Sequence, residues 1–371
     1  METEKTVAAI ETPLAALHKS DGATMGTWFG CELPDHWIDP RVEQGFALEN
    51  VALVDKNYRA YLSFTGPDRV RYLNAILTNN IKDLSMGQGN VSLLLNPQGH
   101  ILAEIETYAL PEGLFCVSHA MIRERLIETV DKYIIMDDVT LIDESQRYGT
   151  LGIEGPKAAL VAQELTGTEL SSVSELCRTE TAVASIPCWL TKRSPGGVAG
   201  CEFLVERDKL ATLWQILAEF VKKNGGGPMG CAALSAQRLA QDVPWFGYDF
   251  GEKQIPHEAG LEVSHISYTK GCYTGQEIVE RVRSRGQVNR RRVDLIFEGA
   301  GAPAPGETLT VDGKEVGFVT RAAIPSFLSS AIGMGYVRKD HNAQGSRLSW
   351  AGGIAVVSKF PDAFLATARV S

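Results

Sequence analysis

Residues 58–68 read Tyr-Arg-Ala-Tyr-Leu-Ser-Phe-Thr-Gly-Pro-Asp, and residues 149–156 read Gly-Thr-Leu-Gly-Ile-Glu-Gly-Pro. Each is a strand-like run that ends in a Gly-Pro step. Proline suits a helix start because its missing N–H had no partner there in any case. After the first step Val70, Leu73, Ile76 and Leu77 fall on one helical face. Val91–Leu95 and Ile101–Leu110 follow, joined by Asn96-Pro97-Gln98-Gly99, a turn composition that reads as a hairpin. A third strand around Leu114–Ser118 leads to Ile122, Leu126, Val130 and Ile134, spaced as a helix. The order then recurs. The two Gly-Pro steps lie 89 residues apart. After the second come strand-like runs near 181–191 and 201–205 and a helix from Asp208 through Val221. The pattern predicts two α+β units, each a sheet with helices on one side.

From Val293 the texture changes to short apolar segments between glycine-rich turns. Asp312-Gly313, set between Thr308–Val311 and Val316–Thr320, is a strong hairpin signal. A small all-β domain follows, barrel-like because closure hides the edges of short strands. The expected division is a flexible N-terminus over 1–11, two interleaved α+β subdomains over 12–285, and a β-barrel over 286–371.

Of 371 residues, 44% are apolar and 22% charged, enough for a sizeable core, and the formal net charge is −9. That charge argues against a generic nucleic-acid or anionic-membrane coat. No run approaches a membrane span, and the acidic first twenty residues lack a secretory pattern, so the cytoplasm is the expected compartment. The seven cysteines, at 31, 116, 177, 188, 201, 231 and 272, form no Cys-x-x-Cys. Reduced thiols without a metal cluster are expected. Gly225–Gly230 fits Gly-x-Gly-x-x-Gly, but a helix precedes it where a dinucleotide site needs a strand, so it reads as a helix terminator.

One stretch inverts the sign of the chain. Between 270 and 292, Lys270, Arg281, Arg283, Arg285, Arg290, Arg291 and Arg292 face only Glu277 and Glu280, a net of +5. Charge alone fits either a cleft that attracts an anionic tail or a solvated, salt-bridged face. Cys272 follows Lys270 and Gly271, so it reads either as a thiolate favoured by a nearby ammonium or as an inert cysteine beside a turn. Gln276 and Glu277 supply an amide and a carboxylate able to bind a ligand or cap a helix.

Lys270-Gly-Cys-Tyr-Thr-Gly-Gln-Glu277 resembles the signature of the YgfZ-type folate-binding proteins, relatives of the glycine-cleavage T-protein. Pro256-x-Glu-Ala-Gly-Leu261 and Arg285-Gly286 flank it as in that family. Thr12-Pro-Leu14, Thr65-Gly-Pro-Asp68, Leu95-Asn96-x-x-Gly99 and Gly317-Phe-Val-Thr320 extend the resemblance over most of the chain. It implies two ferredoxin-like α+β subdomains and a C-terminal β-barrel arranged as a ring, with tetrahydrofolate in a central channel. It also implies folate-dependent assembly or repair of iron–sulfur clusters, with iron–sulfur client or assembly proteins as partners and an indirect link to tRNA modification. Cys272 is then the functional thiol and Lys270 its activator. Asn96, Glu258, Tyr273, Gln276, Glu277, Arg281 and Arg283 are the expected cofactor-binding residues, the two arginines drawing in the ligand's negative tail.

Two departures from the T-protein pattern stand out. Its Asp-Asp pair, which positions the folate nitrogen, is replaced by Ala103 and Glu104. A methyl group carries no proton, and a one-residue shift on a strand reverses the face, which argues against aminomethyl transfer. In Arg238-Leu-Ala-Gln-Asp-Val-Pro244 the family's pterin-holding glutamate becomes Ala240, and losing one charged hydrogen bond weakens binding by roughly 1.5–3 kcal/mol. The alternatives to the iron–sulfur role are a tetrahydrofolate-dependent aminomethyltransferase or demethylase and a non-catalytic adaptor for a protein or tRNA.

Overall fold

The computed structural model describes residues 9–359. The first unit is a five-stranded antiparallel sheet, in the order Gly89–Leu95, Ile101–Leu110, Gly113–His119, Arg59–Thr65, Thr140–Asp143. Helices Arg69–Ile76 and Arg123–Tyr133 cover it, burying Tyr72, Leu73, Ile76, Leu126 and Val130 against Leu93, Leu95 and Ile101. At Gly66 the chain takes φ +92°, and a Cβ there would lie 2.2 Å from the carbonyl oxygen of Asp138. Only glycine makes that turn into the helix.

The second unit has the order Arg178–Val183, Ile186–Thr191, Gly200–Glu206, Tyr148–Glu154, Ala52–Asp55, Gly227–Pro228. Helices Ala158–Thr166 and Leu210–Lys223 pack on it through Val161, Leu213 and Leu217. Ala52–Asp55 precedes the first unit in the chain yet pairs with Leu151–Glu154 of the second. The chain therefore changes sheets between Asp55 and Arg59. Lys56 sits at that crossing, fully buried, with its Nζ 2.5 Å from Glu154 and 3.2 Å from Glu202. The run 181–191, read from sequence as one strand, is part of a hairpin turning at Ala184 and Ser185, both at positive φ.

Six strands close the barrel: Arg290–Gly299, Ala331–Arg338, Lys314–Ala323, Thr308–Val311, Arg347–Trp350 and Gly353–Ser358. Leu295, Phe297, Leu309, Val319, Val337 and Leu348 fill it. The Asp312-Gly313 turn joins two of its strands as expected, both residues lying at positive φ. Helix Cys231–Ala240 ties the barrel to the rest. Its Arg238, completely buried, pairs with Asp249, which also accepts from Thr320 of the barrel.

The expected flexible N-terminus is corrected at its inner end. Ile10–Glu11 form a short strand parallel to Cys31–Glu32. Residues 1–8 and 360–371, including the end of the expected barrel segment, lie outside the described residues. Among the described residues no helix is long and apolar enough to cross a membrane.

Candidate active site

A cavity of about 540 Å³ opens where the two sheets, the 242–246 and 260–265 segments and the first barrel strand meet. Strand Ile101–Leu110 supplies its polar centre. Side chains alternate along a strand, so Ala103, 1% exposed, faces the first-unit core while Glu104 and Glu106 face the cavity. That strand pairs with Gly113–His119 from Glu106 opposite Val117 onward, and just beyond the pairing Ser118 Oγ donates to the Glu104 carbonyl at 2.8 Å, which brings Glu104 beside His119. Glu104 lies between two imidazoles: Oε2 is 3.3 Å from His119 Nε2 and Oε1 is 3.0 Å from His265 Nε2. Ser264 Oγ stands 2.7 Å from His265 Nδ1, and the His265 carbonyl is fixed by Thr78 Oγ1 at 2.6 Å. Burial pushes the Glu104 carboxyl up, but the hydrogen bonds and charges of His119 and His265 outweigh it and hold Glu104 far below the usual carboxylate range.

Three further ion pairs ring the cavity. Glu106 accepts from Arg193 Nε at 2.5 Å and from Tyr108 at 2.7 Å. Arg59 binds Glu202 bidentately at 2.6 and 2.7 Å. Arg292, from the first barrel strand, meets Asp242 at 2.5 Å, and Asp242 itself has φ +51°. Each cavity cation is thus matched by a carboxylate, so the hollow is polar and charge-balanced rather than positively lined. Of the seven basic residues between 270 and 292 only Arg292 lines it. Aromatic rings form part of the wall. Phe29 stacks on Tyr58 at 4.2 Å and meets Trp245 at 4.9 Å, and Phe246 stacks on His119 at 5.1 Å.

None of the nine residues singled out from the sequence lines this cavity. Lys270 points its ammonium at the end of helix Arg69–Ile76, donating to the carbonyls of Asn74, Leu77 and Asn79 at 2.6, 2.5 and 2.9 Å. Burial lowers its pKa to about 8, which leaves it charged at neutral pH. Cys272 is exposed. Tyr273 is buried beneath the Lys270 ammonium, and its N–H donates to Gln276 Oε1 at 3.3 Å, where helix Gln276–Arg285 begins. Glu277 lies in the first turn of that helix. Asn96 holds the hairpin turn by accepting from the His100 N–H at 2.9 Å. Gly275, at φ +82°, and Ile278 close on that turn at Asn96 and Gly99. Glu258 pairs with Arg290. Arg281 is exposed, and Arg283 stacks over Tyr268 at 4.1 Å. The signature loop therefore braces the strand pair that carries Glu104.

The two alanine departures are corrected by the same geometry. Ala103 faces hydrocarbon, and the cavity carboxylate is Glu104. Ala240 packs against Ile332 and Met334 of the barrel, and the carboxylate that this segment brings to the cavity is Asp242. Sequence reasoning missed His119, His265, Arg193, Glu106 and Arg59. Strand alternation from Ala103 would have found Glu106, while the others come from separate segments.

Comparison with known proteins agrees with the architecture. Residues 14–267 match the GCVT N-terminal domain, and residues 290–351 match the glycine cleavage T-protein C-terminal barrel domain. An aminomethyltransferase of Streptomyces avermitilis is 27% identical over 338 residues, covering 90% of this chain and 91% of its own. One from Cutibacterium acnes is 28% identical over 352 residues, covering 91% and 93%. The crystal structure of glycine cleavage system aminomethyltransferase T from Bartonella henselae superposes with a TM-score of 0.86 at 21% identity, covering 95% of this chain and 97% of that one. With both domain matches in chain order on a fold of two α+β units and a closed barrel, this chain belongs to the GCVT family.

Proposed function

We propose that this protein binds a reduced folate in the central cavity and transfers a one-carbon unit from an amine donor to it, as an aminomethyltransferase. The observation that carries the reading is Glu104, an ionised carboxylate presented inside a 540 Å³ cavity by the strand that follows the Asn96–Gly99 hairpin. The cavity's residues suit a tetrahydrofolate. The walls at Phe29, Trp245 and Phe246 accept a flat heterocycle, and Glu106 and Asp242 offer acceptors to its amino-bearing edge. Tetrahydrofolate, when bound, supplies the nucleophilic nitrogen that takes the carbon. The chain orients it, excludes bulk water and manages the proton that the departing amine requires. The curated relatives are aminomethyltransferases, which supports transfer over the iron–sulfur role.

Calorimetric titration with tetrahydrofolate tests this reading. One saturable site is expected, weakened at least tenfold in Glu104→Gln; no saturable heat removes the reading. A second reading, iron–sulfur maturation through Cys272, is favoured by one observation: Cys272 is the one exposed cysteine of the seven. Its test is whether Cys272→Ala abolishes support of an iron–sulfur enzyme while folate binding is retained.

A further inference from the structure

The guanidiniums of the cavity are not spent alike. Arg59 gives both terminal nitrogens to Glu202. Arg193 meets Glu106 through Nε alone, and its Nη1 and Nη2 donate to nothing among the described residues. Neither atom is sealed off: both stay open to solvent, on a side chain 24% exposed that lines the cavity. The guanidinium is a rigid planar fork, so spending Nε on Glu106 leaves the Nη1–Nη2 edge directed away from that carboxylate. Glu106 is satisfied on its other oxygen by Tyr108 at 2.7 Å, and the charge of Arg59 bears on it as well.

A second donor borders the same segment of chain. Gly197, four residues beyond Arg193, packs so closely on 241–243 that a Cβ there would lie 2.5 Å from that of Gln241 and 2.9 Å from Val243 Cγ2. Trp245 ties the same loop, its Nε1 donating to the Pro195 carbonyl at 3.3 Å. From the barrel side Arg292 gives Nη1 to Asp242 and Nε to the Ala259 carbonyl. Its Nη2 is open, next to the exposed, cavity-lining Gly260, where a Cβ would stand 3.7 Å away. Arg281 and Arg283, the arginines expected to take the ligand's negative tail, lie outside the cavity.

We propose that the free edge of Arg193, with Arg292 Nη2 bordering the same segment, is a carboxylate-binding subsite of the cavity. An unspent guanidinium edge receives a carboxylate through two parallel hydrogen bonds, and its charge does not titrate. The proposal rests on the transfer reading for where the carboxylate comes from: the glutamate of the folate or an amino-acid amine donor. Either source presents the same group to the same two nitrogens.

Two matched pairs of probes test this. Tetrahydrofolate and tetrahydropteroate share the heterocycle and differ in the glutamate; N-methylglycine and its amide share the amine and differ in the carboxylate. Calorimetry reads the first pair and ligand-observed NMR the second. In the wild-type protein at least one pair should show a preference of about tenfold or more for the carboxylate-bearing member, and the pair that shows it names the source. In Arg193→Lys the ammonium keeps the Glu106 ion pair but offers no second edge, so the preference should fall by about fivefold or more; Arg193→Met should abolish it. Each preference is a ratio within one protein, so a general loss of affinity leaves it unmoved. Arg193→Lys, with its charge kept, decides the matter where melting shows Arg193→Met unfolded. No preference in either wild-type pair, or one that Arg193→Lys leaves intact, overturns the proposal. Equal binding of the two folates with no preference between the amines does so while the folate reading stands. Absence of folate binding removes that reading instead, and the amine pair still decides the subsite.

Discussion

Replacing Lys270 by methionine separates two accounts of the signature loop. The ammonium donates to three carbonyls at 2.5–2.9 Å, those of Asn74, Leu77 and Asn79, around the end of helix Arg69–Ile76. Hydrogen bonds to a charged donor contribute about 1.5–3 kcal/mol each, so three give about 5–9 kcal/mol in gross terms. Burying the ammonium costs several kcal/mol, and ordering the side chain about 2 kcal/mol more. Methionine keeps the apolar stem but abandons the three acceptors at the negative end of a helix. The net expectation is a loss of about 2–4 kcal/mol, read as a lower midpoint in urea by tryptophan fluorescence. The rate at which iodoacetamide alkylates Cys272 should stay within about twofold, because the ammonium is engaged with the helix end and not with the sulfur. Stability unchanged within about 0.5 kcal/mol, together with tenfold slower alkylation, would show that Lys270 serves the thiol and refute the bracing role.

Other outcomes follow from burial. Ala103→Asp should destabilise by about 3–5 kcal/mol without raising transfer activity, because it places an unpaired carboxylate opposite Leu94 in the first-unit core; thermal unfolding reads it, and a variant as stable as the parent would place residue 103 on the wrong face. Ellman's reagent should titrate one thiol quickly, lost in Cys272→Ala, with half-buried Cys177 slower and the five buried cysteines slower still; several equally fast thiols would contradict the packing. Alkaline pH should weaken the fold. Burial raises the thiols of Cys31 and Cys116 to about 12, that of Cys188 to about 11, and the Tyr61 hydroxyl to about 12. The folded chain keeps these protons where the unfolded chain gives them up, so their stabilisation is complete below the unfolded values near 9 to 10 and is lost as pH rises through 11 to 12. Lys270, lowered to about 8, acts in the opposite direction between 8 and 10.5. Melting temperatures at pH 8.5 and 10.5 measure the sum, and a rise would mean the thiols are not buried.

The fold was legible where local chemistry has one solution. Gly66 must turn with positive φ before its helix, and Asp312-Gly313 must close a hairpin. Ala184-Ser185 makes a similar turn from residues that do not advertise it, so two strands looked like one. The signature Lys270–Glu277 was legible as a motif but not as a place. Its residue types answer to backbone demands, such as the left-handed Gly275 packed against Asn96 and the Lys270 cap. Glu104 was in view, yet its face was obscured by the register shift between Leu94 and Leu95, which disturbs any count of alternation out of the hairpin. His119, His265, Arg193 and Arg292 reach one cavity from four distant segments, and no spacing along the chain encodes that convergence.

Arg292 stands on the first barrel strand, while its partner Asp242 belongs to the segment before it. During synthesis a chain halted near residue 285 would hold almost every side chain of the cavity, but with a carboxylate facing open solvent where a wall should be. The wall is finished only once the first barrel strand has paired with its neighbours and set Arg292 against Asp242.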